Sequence, residues 1–238
     1  MHSFGKHFSM LAAALLAVTI LTGCGGAEER KAKYLERGKA YFEEENYEKA
    51  GIEFKNVLQI DPKTAAPYFY LGRIAEKDQD WRKAFGNYSK AVELDPEMVD
   101  ARIHLGRFYV LAGELEKASE QADEALAREP ETDDAMTLRA TVLARTGKEE
   151  ESMALLQQVL AVAPGNAGAA SLLAALYEKQ EKNDEALQVL ETAVAANAES
   201  VALHIRLAQT YLKRKENDKA VAIMEGLIRD YPEELQYR

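Results

Sequence analysis

Cysteine, proline, glycine and tryptophan are all scarce in this sequence, and positive charge is outnumbered. The single cysteine among 238 residues cannot make an internal disulfide, so the fold is not a stapled secreted miniprotein. Six prolines and 14 glycines leave few chain breakers, and alanine, glutamate, leucine and lysine dominate, a balance that favours helices over sheets. Thirty basic residues face 40 acidic ones, a net charge of −10, which argues against a general nucleic-acid binder. Chemistry-bearing motifs are missing too. There is no Gly-rich phosphate loop and no nucleophile elbow. His104 and His204 have no Cys or His partner at metal-ligand spacing. The many glutamate pairs read as solvated helix faces. No catalytic residue, metal or cofactor is expected.

Long apolar runs are also lacking, with one exception. Phe8 to Leu21, "FSMLAAALLAVTIL", is apolar apart from Ser9 and Thr19. Fourteen helical residues span about 21 Å, against a bilayer core of about 30 Å. The run suits the apolar region of a signal peptide, and Lys6 and His7 precede it. "LTGC" (21–24) follows and resembles the lipobox of bacterial lipoproteins. That resemblance implies cleavage of residues 1–23, lipid attachment to Cys24, and an acylated cysteine with a short linker over 24–30. The covalent lipid would be the only non-protein group. Two or three acyl chains anchor stably where one does not. Gly25 rather than Asp at the next position implies, in an enteric-type sorting system, an outer-membrane lipoprotein facing the periplasm.

The few prolines fall in register. "EFKNVLQIDP" ends at Pro62, "NYSKAVELDP" at Pro96, "QADEALAREP" at Pro130 and "LLQQVLAVAP" at Pro164, each 34 residues after the last. The next steps reach Ala198 and Pro232, and Pro67 alone stands outside the register. Repeats of this length signal stacked supersecondary units. The six units are 31–64, 65–98, 99–132, 133–166, 167–200 and 201–234. Their eighth place is always small (Gly38, Gly72, Gly106, Ala140, Ala174, Ala208), and so is the twentieth (Ala50, Ala84, Ala118, Ser152, Ala186, Ala220). Small residues there let two antiparallel helices approach, while larger residues at places 11 and 24 fill the space beside that contact. The proline ends the second helix, because it lacks an N–H and clashes with the preceding turn.

This pattern resembles the tetratricopeptide repeat (TPR) family over residues 31–234. The resemblance implies an all-α fold, a TPR α-solenoid of antiparallel helix pairs wound into a right-handed superhelix. The first helix of each pair would line a concave groove. Two departures stand out: Ser152 replaces an alanine, and Ala198 replaces a proline, which leaves the fifth unit's second helix free to run on. "YPEELQYR" (231–238) repeats the layout of "DPEMVDAR" (95–102), so residues 235–238 read as the start of a truncated seventh unit.

Helical spacing puts places 2, 5, 9 and 12 of each first helix on one face, the groove face by the resemblance. Place 9 carries Lys39, Arg73 and Arg107 in the first three units, beside Leu35, Phe69 and Ile103 at place 5. A basic ladder in an acidic protein suits a protein or peptide ligand that is acidic or carboxylate-bearing. The alternative is that these are ordinary ion-paired residues, Glu76 lying three places from Arg73. The asparagines of the carboxylate clamp in TPR co-chaperones are absent, so a chaperone-tail receptor is not expected. The tyrosines at place 11 read as core.

The expected function is a membrane-anchored, periplasm-facing TPR scaffold mediating protein–protein interactions in envelope assembly or export. Three alternatives stay open: a TPR component of an exopolysaccharide-export or exosortase-type sorting system, a pilotin-like factor for secretin or type IV pilus assembly, and the N-terminal part of a longer enzyme.

Overall fold

The computed structural model describes residues 26–230. The leader, Cys24 and the segment 235–238 lie outside the described residues. Among the described residues the chain is all-α, with twelve helices and no strand. Helix α1 covers 26–43. It is followed by α2 (Tyr47–Ile60), α3 (Ala65–Lys77), α4 (Trp81–Leu94), α5 (Val99–Ala112), α6 (Leu115–Arg128) and α7 (Asp133–Arg145). The remainder are α8 (Glu149–Val162), α9 (Ala167–Lys179), α10 (Asn183–Ala196), α11 (Val201–Lys213) and α12 (Asn217–Asp230). Each 34-residue unit supplies one helix pair, and in the first five units the second helix ends at the thirtieth place. Helix α1 starts earlier than the repeat register requires: residues 26–30, expected as linker, are helical. Ion pairs Glu28–Lys31 (2.8 Å) and Glu29–Lys33 (2.7 Å) support that extension, and Lys31 also reaches Asp61 of the first pair's exit at 3.0 Å.

The chain divides into two compact units, one reaching Ala101 and the other starting at Arg102. The first holds α1 to α4 around Phe42, Ala50, Phe54 and Leu71. The second holds α6 to α12 and most of α5, with buried clusters running from Ala118 and Leu138 through Leu156 and Leu173 to Leu190 and Leu203.

Places 8 and 24 match in volume. In the first unit a Cβ added to Gly38 would sit 2.6 Å from Cε1 of Phe54, and in the second one added to Gly72 would sit 2.7 Å from Cε1 of Tyr88. Both rings are fully buried. Where place 8 is alanine, place 24 is Leu156, Leu190 or Met224. The third unit pairs Gly106 with the small Ala122, and Leu138 of the next pair closes the gap, 2.5 Å from where a Gly106 Cβ would stand.

Both departures from the repeat are absorbed. The Ser152 hydroxyl is fully buried and donates to the Ala140 carbonyl at 2.7 Å, so the extra polar atom is paired. Ala198 does not let α10 run on. The helix stops at Ala196, where the Asn197 side chain donates to the Gly165 carbonyl at 3.1 Å, and Gly165 is so close that a Cβ there would lie 2.7 Å from that of Asn197. The contact between successive loops ends the helix without proline.

One regularity escapes the sequence pattern. The fifteenth place, in the turn between paired helices, has positive φ in all six units: Glu45 57°, Gln79 58°, Gly113 77°, Gly147 83°, Glu181 62° and Lys215 63°. This left-handed conformation costs an L-residue about 1–2 kcal/mol, and glycine avoids most of it. Glycine gives back part of that gain through its greater freedom in the unfolded chain, so changing Glu45, Gln79, Glu181 and Lys215 to glycine together is expected to raise stability by about 2–3 kcal/mol. Urea denaturation of the single and quadruple variants checks this, and a fall in midpoint would contradict it.

Candidate functional site

In the first compact unit, α1 and α3 place two cations among aromatic rings. The Arg73 guanidinium lies 4.7 Å from the ring centre of Phe42 and 6.0 Å from that of Phe69. The Lys39 ammonium lies 5.8 Å from the ring centre of Tyr70. Such contacts contribute about 0.5–1 kcal/mol at exposed sites and hold the cation in place without neutralising it. The rings are themselves fixed: Tyr70 stacks on Phe54 with centres 4.9 Å apart and meets Phe42 and Phe69 edge-on, each at 5.3 Å. Burial pushes the Tyr70 hydroxyl above its ordinary value, and the nearby Arg73 charge offsets only part of that.

The charge balance sets these two cations apart. Among the described residues no carboxylate pairs with Lys39 or Arg73, whereas Arg37 reaches Glu53 at 2.9 Å. The pairing of Arg73 with Glu76 suggested by their spacing does not form; Glu76 accepts the Tyr88 hydroxyl at 2.5 Å instead. Arg107, in the second compact unit, is compensated by Asp134 at 2.6 Å. The basic ladder therefore separates into two uncompensated cations and one paired arginine. The apolar ladder is mostly core. Phe69 is 8% exposed and Ile103 2% exposed, and Leu35 is half-buried against the core cluster of Phe42, Ala50, Phe54 and Leu71. Sequence reasoning missed Phe42 and Tyr70. Phe42 was within reach of the pattern, since it stands at place 12 of the same face.

Elsewhere the polar groups serve packing. His204 is half-buried with Nδ1 3.0 Å from the Ser200 carbonyl. Among the described residues no group of three or more His, Cys, Asp or Glu side chains is gathered as a metal site requires. None of the helices described is long and apolar enough to cross a membrane.

A sequence family model for the N-terminal TPR repeats region of Psidin matches residues 108–237, more than half of the chain. The chain belongs to the tetratricopeptide repeat family. Tetratricopeptide repeat models also match residues 34–64 and 69–124, so TPR signal extends into both compact units. Among solved structures the chain is similar to PilF of Pseudomonas aeruginosa, with a TM-score of 0.63 at 20% identity over 89% of this chain and 96% of that one. It is also similar to PilW, a widely conserved type IV pilus biogenesis factor, with a TM-score of 0.67 at 18% identity over 87% and 96%. A thermophilic TPR protein of Thermus thermophilus gives 0.63 at 24% identity over 76% and 99%. At these identities the likeness is one of fold. No curated protein sequence matches the chain. TPR proteins are generally non-catalytic scaffolds that bind peptide or protein partners in a groove, and this chain is a TPR scaffold for protein–protein interactions.

Proposed function

We propose that this TPR scaffold is a lipid-anchored protein of the cell envelope, facing the periplasm and recruiting partners for envelope assembly or export. We further propose that its first two repeats capture an acidic or carboxylate-bearing segment. The observation that carries the ligand reading is Arg73, held between two aromatic rings with no carboxylate partner while Arg37 and Arg107 have theirs. An arginine can take a carboxylate through two parallel hydrogen bonds, and a site already fixed by ring packing loses little freedom when it does so. The anchor rests on the sequence: a leader too short to span a bilayer, then "LTGC" with the sole cysteine.

Titration with an acetylated Glu-Glu-Leu-Asp peptide tests the ligand reading. K39E/R73E is expected to weaken binding at least tenfold, and R107E no more than twofold, because Arg107 is already paired. Wild-type affinity should fall as salt rises. Equal losses in the two variants would reject the assignment. For the anchor, Cys24→Ser should leave the protein in the soluble fraction or unprocessed; a variant still acylated and membrane-bound would remove that part.

A pilotin-like role in secretin or type IV pilus assembly is the second reading. What favours it is the fold shared with PilW over nearly the full length of both chains. Deleting the gene and scoring surface pili and secretin multimers decides it, and normal pili would set it aside.

A further inference from the structure

In the second compact unit, α8, α9 and α10 line an open cleft of about 240 Å³. Leu160, Leu173 and Val189 give it apolar walls, while Gln157, Thr192 and Tyr177 bring polar groups to it. No charged side chain lines it, in a protein whose residues are 29% charged. Leu173 and Tyr177, at places 7 and 11, stand on the side of α9 away from Ser171 and Ala175 at places 5 and 9. The cleft therefore lies across α9 from place 9, the place that Lys39 and Arg73 hold in the first two repeats.

Repeat periodicity shows that this cleft is a departure from the array. Gln157 holds place 25 of the fourth unit and Thr192 holds place 26 of the fifth. At the other four junctions the same two places carry Lys55 with Lys90, Ser89 with Glu124, Asp123 with Gln158, and Glu191 with Gly226. Every other junction has at least one charge there. The hydrogen bonding also inverts. At the next junction the Tyr211 hydroxyl donates to Glu191 at 2.5 Å, which uses up its proton. At this one the Gln157 amide donates to the Tyr177 oxygen at 3.0 Å. Among the described residues no acceptor takes the Tyr177 proton. The Lys182 ammonium rests 6.0 Å from the centre of that ring and adds no acceptor.

We propose that this cleft receives one large apolar side chain, aliphatic or aromatic, from an uncharged segment of a partner protein, whose backbone carbonyl accepts the Tyr177 hydroxyl proton. Size argues for a side chain rather than a whole small molecule, since drug-sized ligands occupy about 300–1,000 Å³, whereas interface anchors fill smaller pockets one residue at a time. The uncharged lining argues against an acidic or basic segment, which would lose hydration there without a counter-charge. The scaffold would thus hold an acidic segment and an apolar one at separate places.

The test is NMR titration of the full chain with N-acetyl-L-leucinamide and N-acetyl-L-phenylalaninamide, with toluene and N-acetyl-L-glutamic acid amide as comparisons. The two apolar amides should shift resonances clustered at α8, α9 and α10, at millimolar affinity, and the glutamic acid amide should not. Gln157→Glu installs the residue found at place 25 of the next unit, satisfies Tyr177 as Glu191 satisfies Tyr211, and should weaken the apolar amides at least tenfold. Thr192→Lys, matching Lys90 in the second unit, should do the same and replaces the first variant if that one fails to fold. Tyr177→Phe should weaken N-acetyl-L-phenylalaninamide but leave toluene unchanged. Shifts scattered away from the cleft, binding indifferent to Gln157→Glu and Thr192→Lys, or toluene binding as tightly as N-acetyl-L-phenylalaninamide would each overturn the proposal. Titration of the acidic peptide at Lys39 and Arg73 stays an independent readout, so failure here leaves that reading untouched.

Discussion

Gly38→Ala is expected to lower stability by about 1–3 kcal/mol, although glycine is ordinarily the poorer helix former by about 1 kcal/mol. The sign reverses because the new methyl would stand 2.6 Å from the Phe54 ring. That ring is fully buried and stacked on Tyr70 at 4.9 Å, so it has nowhere to retreat. Phe54→Leu alone should also be destabilising, by about 1–3 kcal/mol, since it opens a cavity over Gly38. The double variant G38A/F54L should recover most of both losses. It reproduces the Ala140–Leu156 and Ala174–Leu190 pairs that fill the same places in the fourth and fifth units. The coupling between the two substitutions is therefore expected to exceed about 1 kcal/mol. Urea denaturation of the four proteins measures it, and additive losses would show that places 8 and 24 are not one packing unit.

The second large effect concerns Glu178 of α9. Its carboxylate is 13% exposed and lies 3.0 Å from Arg206 and 2.5 Å from Lys213, and it accepts the Thr210 hydroxyl at 3.0 Å. All three partners belong to α11, so one side chain ties the first helix of the fifth unit to that of the sixth. Burial pushes this carboxyl up, but hydrogen bonds from Lys213 and Arg206, with the Arg206 charge, outweigh it and hold the group below its ordinary 4.5. A carboxyl lowered in the folded state contributes stability that is present above pH 4.5 and is lost as pH falls through the lowered folded value. Glu178→Ala, which strands a mostly buried arginine, is expected to cost about 3 kcal/mol at pH 7. Glu178→Gln keeps the shape and should cost about 2 kcal/mol. The gap between wild type and Glu178→Gln should shrink steadily below pH 4.5. Because repeats communicate through neighbours, hydrogen exchange should quicken first in α11 and α12. A gap constant from pH 7 to pH 3 would show that the carboxylate's charge is not what joins these helices.

Much of the fold is legible in the primary structure because each repeat writes its rules locally. Gly72 and Ala84 mark the close helix contact of the second unit, Pro96 marks its exit, and the same marks recur 34 residues on. Local signals fail where a neighbour's contact decides the outcome. Ala198 offers no proline, yet α10 stops on schedule because Asn197 reaches the Gly165 carbonyl 32 residues earlier. The turn at place 15 is hidden for a different, local reason: Glu45, Gln79, Glu181 and Lys215 take a glycine-like φ where the first helix closes its own end, the next N–H donating back to place 11 (Asn46 to Tyr41 at 2.8 Å, Lys182 to Tyr177 at 2.9 Å), and none of these residue types signals it.

The candidate site divides along the same line. Lys39, Arg73 and Arg107 look alike as letters at place 9. Asp134, 27 residues from Arg107, neutralises only that one, and the rings of Phe42 and Phe69 hold Arg73 without neutralising it. Likewise Tyr177 and Tyr211 share place 11, but Gln157 beside one and Glu191 beside the other reverse the direction of the hydrogen bond. The sequence by itself determined the number of repeats, the helix pairs and the face on which each side chain stands, because helix periodicity and chain breakers act within a few residues. Which charges are compensated, which rings fill which contacts and where an uncharged cleft opens were decided by tertiary structure alone. Those outcomes depend on residues some 20 to 35 positions apart that only the stacking of one helix pair on the next brings within reach.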